Sequence, residues 1–152
     1  MALPVRFNGT PPDGWSPIAP HEAGEGGATA VWVRDAERYS ERASTITVLE
    51  RIVSATADLE RLADDLVAVW KTTSTELTVT RSEHIALGTY GMEVEYSAAG
   101  IQALLRKTYL SMAVPSTEGS YLLELVLDTP FYQHTITRTE FSSFIKSIAS
   151  QL

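Results

Sequence analysis

An α+β fold is what the sequence predicts: an antiparallel β-sheet of about seven strands with two amphipathic helices laid against it. Two stretches repeat their apolar residues at helical spacing, and the other apolar residues fall in alternating runs rich in β-branched and aromatic side chains. The joins between the later runs are short turns, which suit antiparallel neighbours and leave no room for crossover helices. The 152 residues, 44% apolar and 20% charged, with a mean hydropathy of -0.03, read as one domain spanning 1–152. A core at this length removes about 68–70% of the unfolded chain's surface from water, so no disulfide or metal staple is required.

The first run, Leu3, Val5 and Phe7, alternates as a strand does. From Gly9 to Gly27 the chain holds four prolines and five glycines; prolines lack the amide donor and glycines tolerate positive φ, so the segment reads as a long surface loop. Strands follow over Ala28 to Arg34 and Thr45 to Val53. Leu59, Leu62, Ala63, Leu66, Val67 and Trp70 then form one helical stripe, with Asp58 and Glu60 in the first turn, Lys71 in the last, and Ser54 or Thr56 as the expected cap. Four more strands are predicted: Glu76 to Ile85, Met92 to Ser97, Ile101 to Val114 and Ser120 to Asp128. A second stripe, Phe141, Phe144, Ile145, Ile148, Ala149 and Leu152, closes the chain behind a capping-box spacing of Thr137 and Glu140.

Composition narrows the chemistry. There is no cysteine, which removes thiolate metal sites, iron–sulfur clusters and a Cys nucleophile. A net charge of -7 lacks the basic footprint of a nucleic-acid partner. The first residues show no basic segment leading into an apolar one, so no signal peptide is expected, and the longest apolar run, Tyr121 to Leu127, is broken by Glu124. A cytoplasmic protein is the resulting expectation, with a secreted or lipid-anchored form whose leader has been removed as the alternative.

No catalytic constellation emerges. The three histidines, His21, His84 and His134, are spread along the chain; His21 with Glu22 and Glu25 sits in the Pro/Gly-rich loop without the regular element that aligns metal ligands, so no metal and no cofactor are expected. No nucleophile elbow is present. Glu93 and Glu95 alternate with Met92, Val94 and Tyr96 and share one sheet face, where they either line a cleft or face solvent. With His84 they form the one acid/base candidate. Glu124, inside an apolar strand, should either face solvent or find a basic partner such as Arg106 or Lys107. Of the aromatics, Trp15, Phe131 and Tyr132 fall in expected loops and so are the candidate binding surface with Glu93 and Glu95.

Four local patterns carry a resemblance. Pro12, Asp13, Gly14 and Trp15 follow the first run as P-x-G-W; a helix spans Asp58 to Lys71; a glycine turn at Gly88 leads into a strand ending at Tyr96; and Phe141, Phe144, Ile145, Ser147 and Ile148 resemble a closing F-x-x-I-x-x-S-F helix. The sequence is similar to the PsbP-like domains, a group that takes in the photosystem II extrinsic subunit, the Ran-binding Mog proteins, actinobacterial LpqN-type lipoproteins and type VI secretion effector chaperones. The resemblance implies an α/β/α sandwich and a non-catalytic role, with no catalytic residues to carry over. Nine arginines against three lysines suit the LpqN-type branch, although the lipobox cysteine of that branch is missing. The expected function is a protein-binding or adaptor module, chaperone-like for a secreted or membrane-associated partner; the alternative is a carrier of a small apolar ligand. A homodimer through a sheet edge stays open.

Overall fold

The structure, a computed structural model of the chain, describes residues 7, 9–40, 42–98, 101–112 and 119–149. Among them are seven strands: β1 (Trp15–Ile18), β2 (Ala30–Arg34), β3 (Thr45–Val53), β4 (Glu76–Ala86), β5 (Thr89–Ala98), β6 (Ile101–Met112) and β7 (Ser120–Pro130). Two helices accompany them, α1 (Leu59–Thr73) and α2 (His134–Ala149), with single 3-10 turns at Asp35–Glu37 and Phe131–Gln133. All seven strands join one antiparallel sheet in the order β1-β2-β3-β7-β6-β5-β4. Strands β4 to β7 are the expected meander, and α1 carries the chain from β3 past three strands to the far edge.

Alternation along the strands builds two cores. On β7, Tyr121, Leu123, Leu125 and Leu127 meet Phe141, Phe144 and Ile148 of α2, together with Trp15, Trp32, Ile46 and Val48. Leu122 points the other way and joins Leu59 and Ala63 of α1 with Tyr90, Met92, Val94, Tyr96, Leu104 and Leu110. The helices therefore lie on opposite faces, which makes the α/β/α sandwich. Every residue of β7 is buried.

The structure differs from the sequence-based expectations at four places. Leu3 and Val5 lie outside the described residues, and Phe7 is in irregular chain, its N–H donating to Glu50 Oε2 at 2.8 Å. Among the described residues the edge strand is β1, inside the segment that read as a surface loop; Pro17 is tolerated because its missing donor sits in an edge strand. The N-cap of α1 is Asp58, while the Ser54 hydroxyl accepts from the Thr56 N–H. Helix α2 starts at His134, about two turns earlier than the apolar stripe indicates. Thr137 is consequently a buried residue inside the helix, not a cap, and donates to Gln133 O.

The fourth difference concerns Glu124. In the β6–β7 ladder Arg106 lies opposite Asp128, to which it bonds at 2.8 Å, while Glu124 lies opposite Leu110. Glu124 is buried and has no ion-pair partner within reach among the described residues. Burial pushes its carboxyl pKa up, against the pull of Arg51 and Arg106. A carboxyl raised in the fold is penalised once the pH is high enough to ionise it. Glu124→Gln is therefore expected to melt at a higher temperature than the parent at pH 7, with the gain vanishing near pH 4, as thermal unfolding at the two pH values will read. In the other core, the Phe144 ring stands edge-on to Trp32 at 5.3 Å. Phe144→Ala is expected to cost about 3–5 kcal/mol in urea unfolding, whereas Val69→Ala, on the exposed side of α1, stays within about 0.5 kcal/mol.

Candidate functional site

Three polar clusters stand out, and two of them hold the fold. Arg106 crosses the α1 face of the sheet, its guanidinium 4.8 Å from the Trp70 ring centre and 5.1 Å from that of Tyr96. Asp128 Oδ1 accepts from Arg106 Nε and, at 2.6 Å, from the Tyr96 hydroxyl. Burial and then the Asp128 charge push the Tyr96 phenol up to about 12, so it stays a donor at any ordinary pH. This cluster ties α1 to the sheet. On the other face the Glu140 carboxylate of α2 accepts from Trp15 Nε1 at 2.8 Å and from Arg34, which also pairs with Glu37 at 3.2 Å. Glu37 in turn accepts from the N–H and hydroxyl of Ser44. The second cluster clamps α2 over β1 and β2.

That clamp corrects the placement of Trp15. It was expected on a loop surface but is only 5% exposed, in the core of β1 with its indole donor taken by Glu140. Phe131 and Tyr132 are exposed, in the 3-10 turn that leads into α2, and Ile136 in the first turns of α2 is exposed with them. Glu93 and Glu95 share the α2 face of β5, Glu93 half-buried and Glu95 exposed. His84 lies across from Tyr90 on the opposite face and stacks edge-on against its ring at 4.9 Å. The acid/base trio of Glu93, Glu95 and His84 therefore does not assemble.

The third cluster belongs to a groove. Because α2 sits over β7 and the strands toward β1, only its first turn and the preceding 3-10 turn reach toward β5 and β6, and the α2 face of β4 and parts of that face of β5 and β6 stay exposed beside it. A groove of about 240 Å³ opens there, between the sheet and the flank of α2. Ile85, Tyr109, Phe141 and Ile145 supply apolar walls, Ser142 and Lys146 come from α2, and Arg81, Glu93 and Lys107 come from neighbouring strands. The ladder explains the last three: Arg81 faces Glu93 across β4–β5, and Glu93 faces Lys107 across β5–β6. Gly91 keeps the floor low, since a Cβ there would lie 2.5 Å from Ile85 Cδ1.

Electrostatics in the groove are dominated by desolvation. Burial lowers the Lys107 pKa, with Glu93 opposing and Arg81 and Arg138 adding to the shift. His134 stands at the start of α2 with Nε2 3.5 Å from Glu93 Oε1, outside hydrogen-bonding geometry. Burial lowers its pKa as well; Glu93 and Glu95 oppose, while Lys107 and Arg138 reinforce. Sequence reading singled out Glu93 but not Lys107, Lys146 or Arg81 as its company, because strand register and helix placement bring them together. The alternation of Arg81 and Glu83 on β4 repeats the local signal of a charged sheet face that Glu93 and Glu95 give on β5.

The His134 imidazole is expected to titrate below 6.5 in an NMR pH series, and Glu93→Gln to lower it further by removing an opposing charge. A histidine depressed in the fold stabilises above its unfolded pKa, so His134 contributes a loss of stability as the pH falls from about 6.5 through its folded value.

No protein-family model matches the sequence, and no curated protein matches it. Among solved structures, the chain is similar to LpqN of Mycobacterium tuberculosis, described as involved in cell envelope biogenesis, with a TM-score of 0.63 and 15% identity over 90% of this chain and 78% of that one. It is also similar to cyanobacterial PsbP (CyanoP) from Synechocystis, with a TM-score of 0.61 and 15% identity over 90% of this chain and 81% of that one. The seven-stranded antiparallel sheet with a helix on each face is the PsbP-like fold, shared with LpqN.

Proposed function

We propose that the chain is a non-catalytic binding module that receives an apolar ligand in the groove between α2 and β4–β6. The observation that carries this reading is the groove itself: about 240 Å³ of recess walled mainly by Ile85, Tyr109, Phe141 and Ile145, between the flank of α2 and the exposed edge strand β4. A non-catalytic role is supported by the separation of His84 from Glu93 and Glu95, and by the engagement of two of the three buried carboxylates, Glu37 and Asp128, in structural bonds. No group of three or more potential metal ligands occurs among the described residues, and no helix among them is long and apolar enough to cross a membrane. LpqN's involvement in cell envelope biogenesis supports an envelope setting, where single-chain amphiphiles are at hand.

Titration with monolauroylglycerol, followed by amide chemical shifts, tests the reading. Shifts are expected in β4, β5, β6 and α2, and Ser142→Trp, which fills the groove from α2, is expected to weaken binding at least tenfold without lowering the melting temperature. Absence of saturable shifts, or shifts indifferent to Ser142→Trp, defeats the proposal. A second reading, contact with a protein partner, rests on Phe131, Tyr132 and Ile136, three large apolar side chains exposed within six positions. Tyr132→Ser is expected to leave the lipid titration unchanged while weakening any partner held at that ridge.

A further inference from the structure

We infer that the groove is built for a single-chain amphiphile with an anionic head, a carboxylate or a phosphate monoester, whose head is held by Lys107 and Lys146. The inference rests on the groove being the ligand site and adds the charge of the ligand.

Charge placement carries the argument. The chain is acidic overall, at -7, and its partly buried arginines are spent on carboxylates: Arg34 on Glu37 and Glu140, Arg106 on Asp128. The groove is the exception. Arg81, Lys107 and Lys146 line it against one carboxylate, Glu93. Arg81 is bonded to its neighbour Glu83, but neither Lys107 nor Lys146 has an ion-pair partner among the described residues. Two of the chain's three lysines thus converge unpaired on one apolar recess, and Lys107 is partly desolvated there. A partly desolvated ammonium beside apolar walls is costly alone and favourable against an anion.

Size selects among anions. A helix with its side chains is about 10–12 Å across, too wide for a recess of 240 Å³, whereas a hydrocarbon chain can lie along Ile85, Tyr109 and Ile145. A bare inorganic anion would leave those walls unused. The two features together, apolar walls and two free cations, match a chain with an acidic head and not a neutral sugar or a peptide helix.

The test compares dodecanoate, monolauroylglycerol and dodecyltrimethylammonium, each below its critical micelle concentration, by calorimetric titration at pH 7.5 and low salt. Dodecanoate is expected to bind at least tenfold tighter than monolauroylglycerol, the cation weakest, and affinity to rise about fourfold per added methylene until the groove is filled. Dodecyl phosphate in place of dodecanoate separates the two head groups. Lys107→Met with Lys146→Met is expected to abolish the preference for the anion, dodecanoate then binding no tighter than monolauroylglycerol measured on the same variant. Equal affinity for dodecanoate and monolauroylglycerol, or a preference that survives the double variant, overturns the anionic head and leaves the groove reading intact. Failure of all three to bind defeats the groove reading as well. Displacement of dodecanoate by an acidic peptide of comparable affinity also overturns the inference, because the walls would then serve a different occupant.

Discussion

Strand β7 is the constraint on which the other elements depend. All eleven of its residues are buried, so both faces of the sheet must be covered above it, and water can reach neither row of its side chains. One row, Tyr121 to Leu127 by alternate residues, takes α2; the other, beginning at Leu122, faces the α1 side. Burial on both faces also explains the near-continuous apolar run, which a one-sided antiparallel strand would have alternated with polar residues. Its acidic residues show how such burial is made tolerable. Asp128 is held by Arg106 and Tyr96, whereas Glu124 is left to an unfavourable protonation equilibrium.

Two helices on opposite faces, α2 over β7 and α1 over β4 and β5, do not cover the whole sheet. Helix α2 is drawn toward β1 and β2 by the bonds from Trp15 and Arg34 to Glu140, and α1 is held over β4 and β5 by Leu59 and Ala63 and tied to β6 by the Trp70–Arg106 stack. The offset leaves part of the α2 face of β4–β6 open, and the groove with its unpaired lysines is the result. Edge strand β4 is exposed along nearly its whole length, yet its ladder shifts after Val79 and after His84 and its Arg81 and Glu83 break up a flat hydrophobic edge, a common defence against pairing with another sheet.

Most of the architecture is legible from residues that interact with near neighbours. The α1 stripe from Leu59 to Trp70, the apolar core of α2 and the meander from Glu76 to Asp128 follow from periodicity and turn length. What local reading misses is decided at long range. Strand β1 forms in a Pro/Gly-rich segment because β2 offers its edge and Trp15 finds Glu140, 125 positions away. The first two turns of α2 carry few apolar residues, so no stripe announces them; they form because Thr137 is buried against Thr129. Glu93 was visible as a candidate, but His134, Lys107 and Lys146 became its neighbours only through register and helix packing.

The sequence by itself determined the secondary-structure classes, the antiparallel connectivity of the second half, and the absence of cysteine chemistry, since these depend on side-chain type and on spacings of two to four residues. The tertiary structure decided which carboxylate Arg106 serves, that Trp15 is a buried clamp, and where the groove lies. Those outcomes turn on which residues meet across the sheet. Pairing is set by the mutual burial of several strands at once, and no window of the chain contains all the partners.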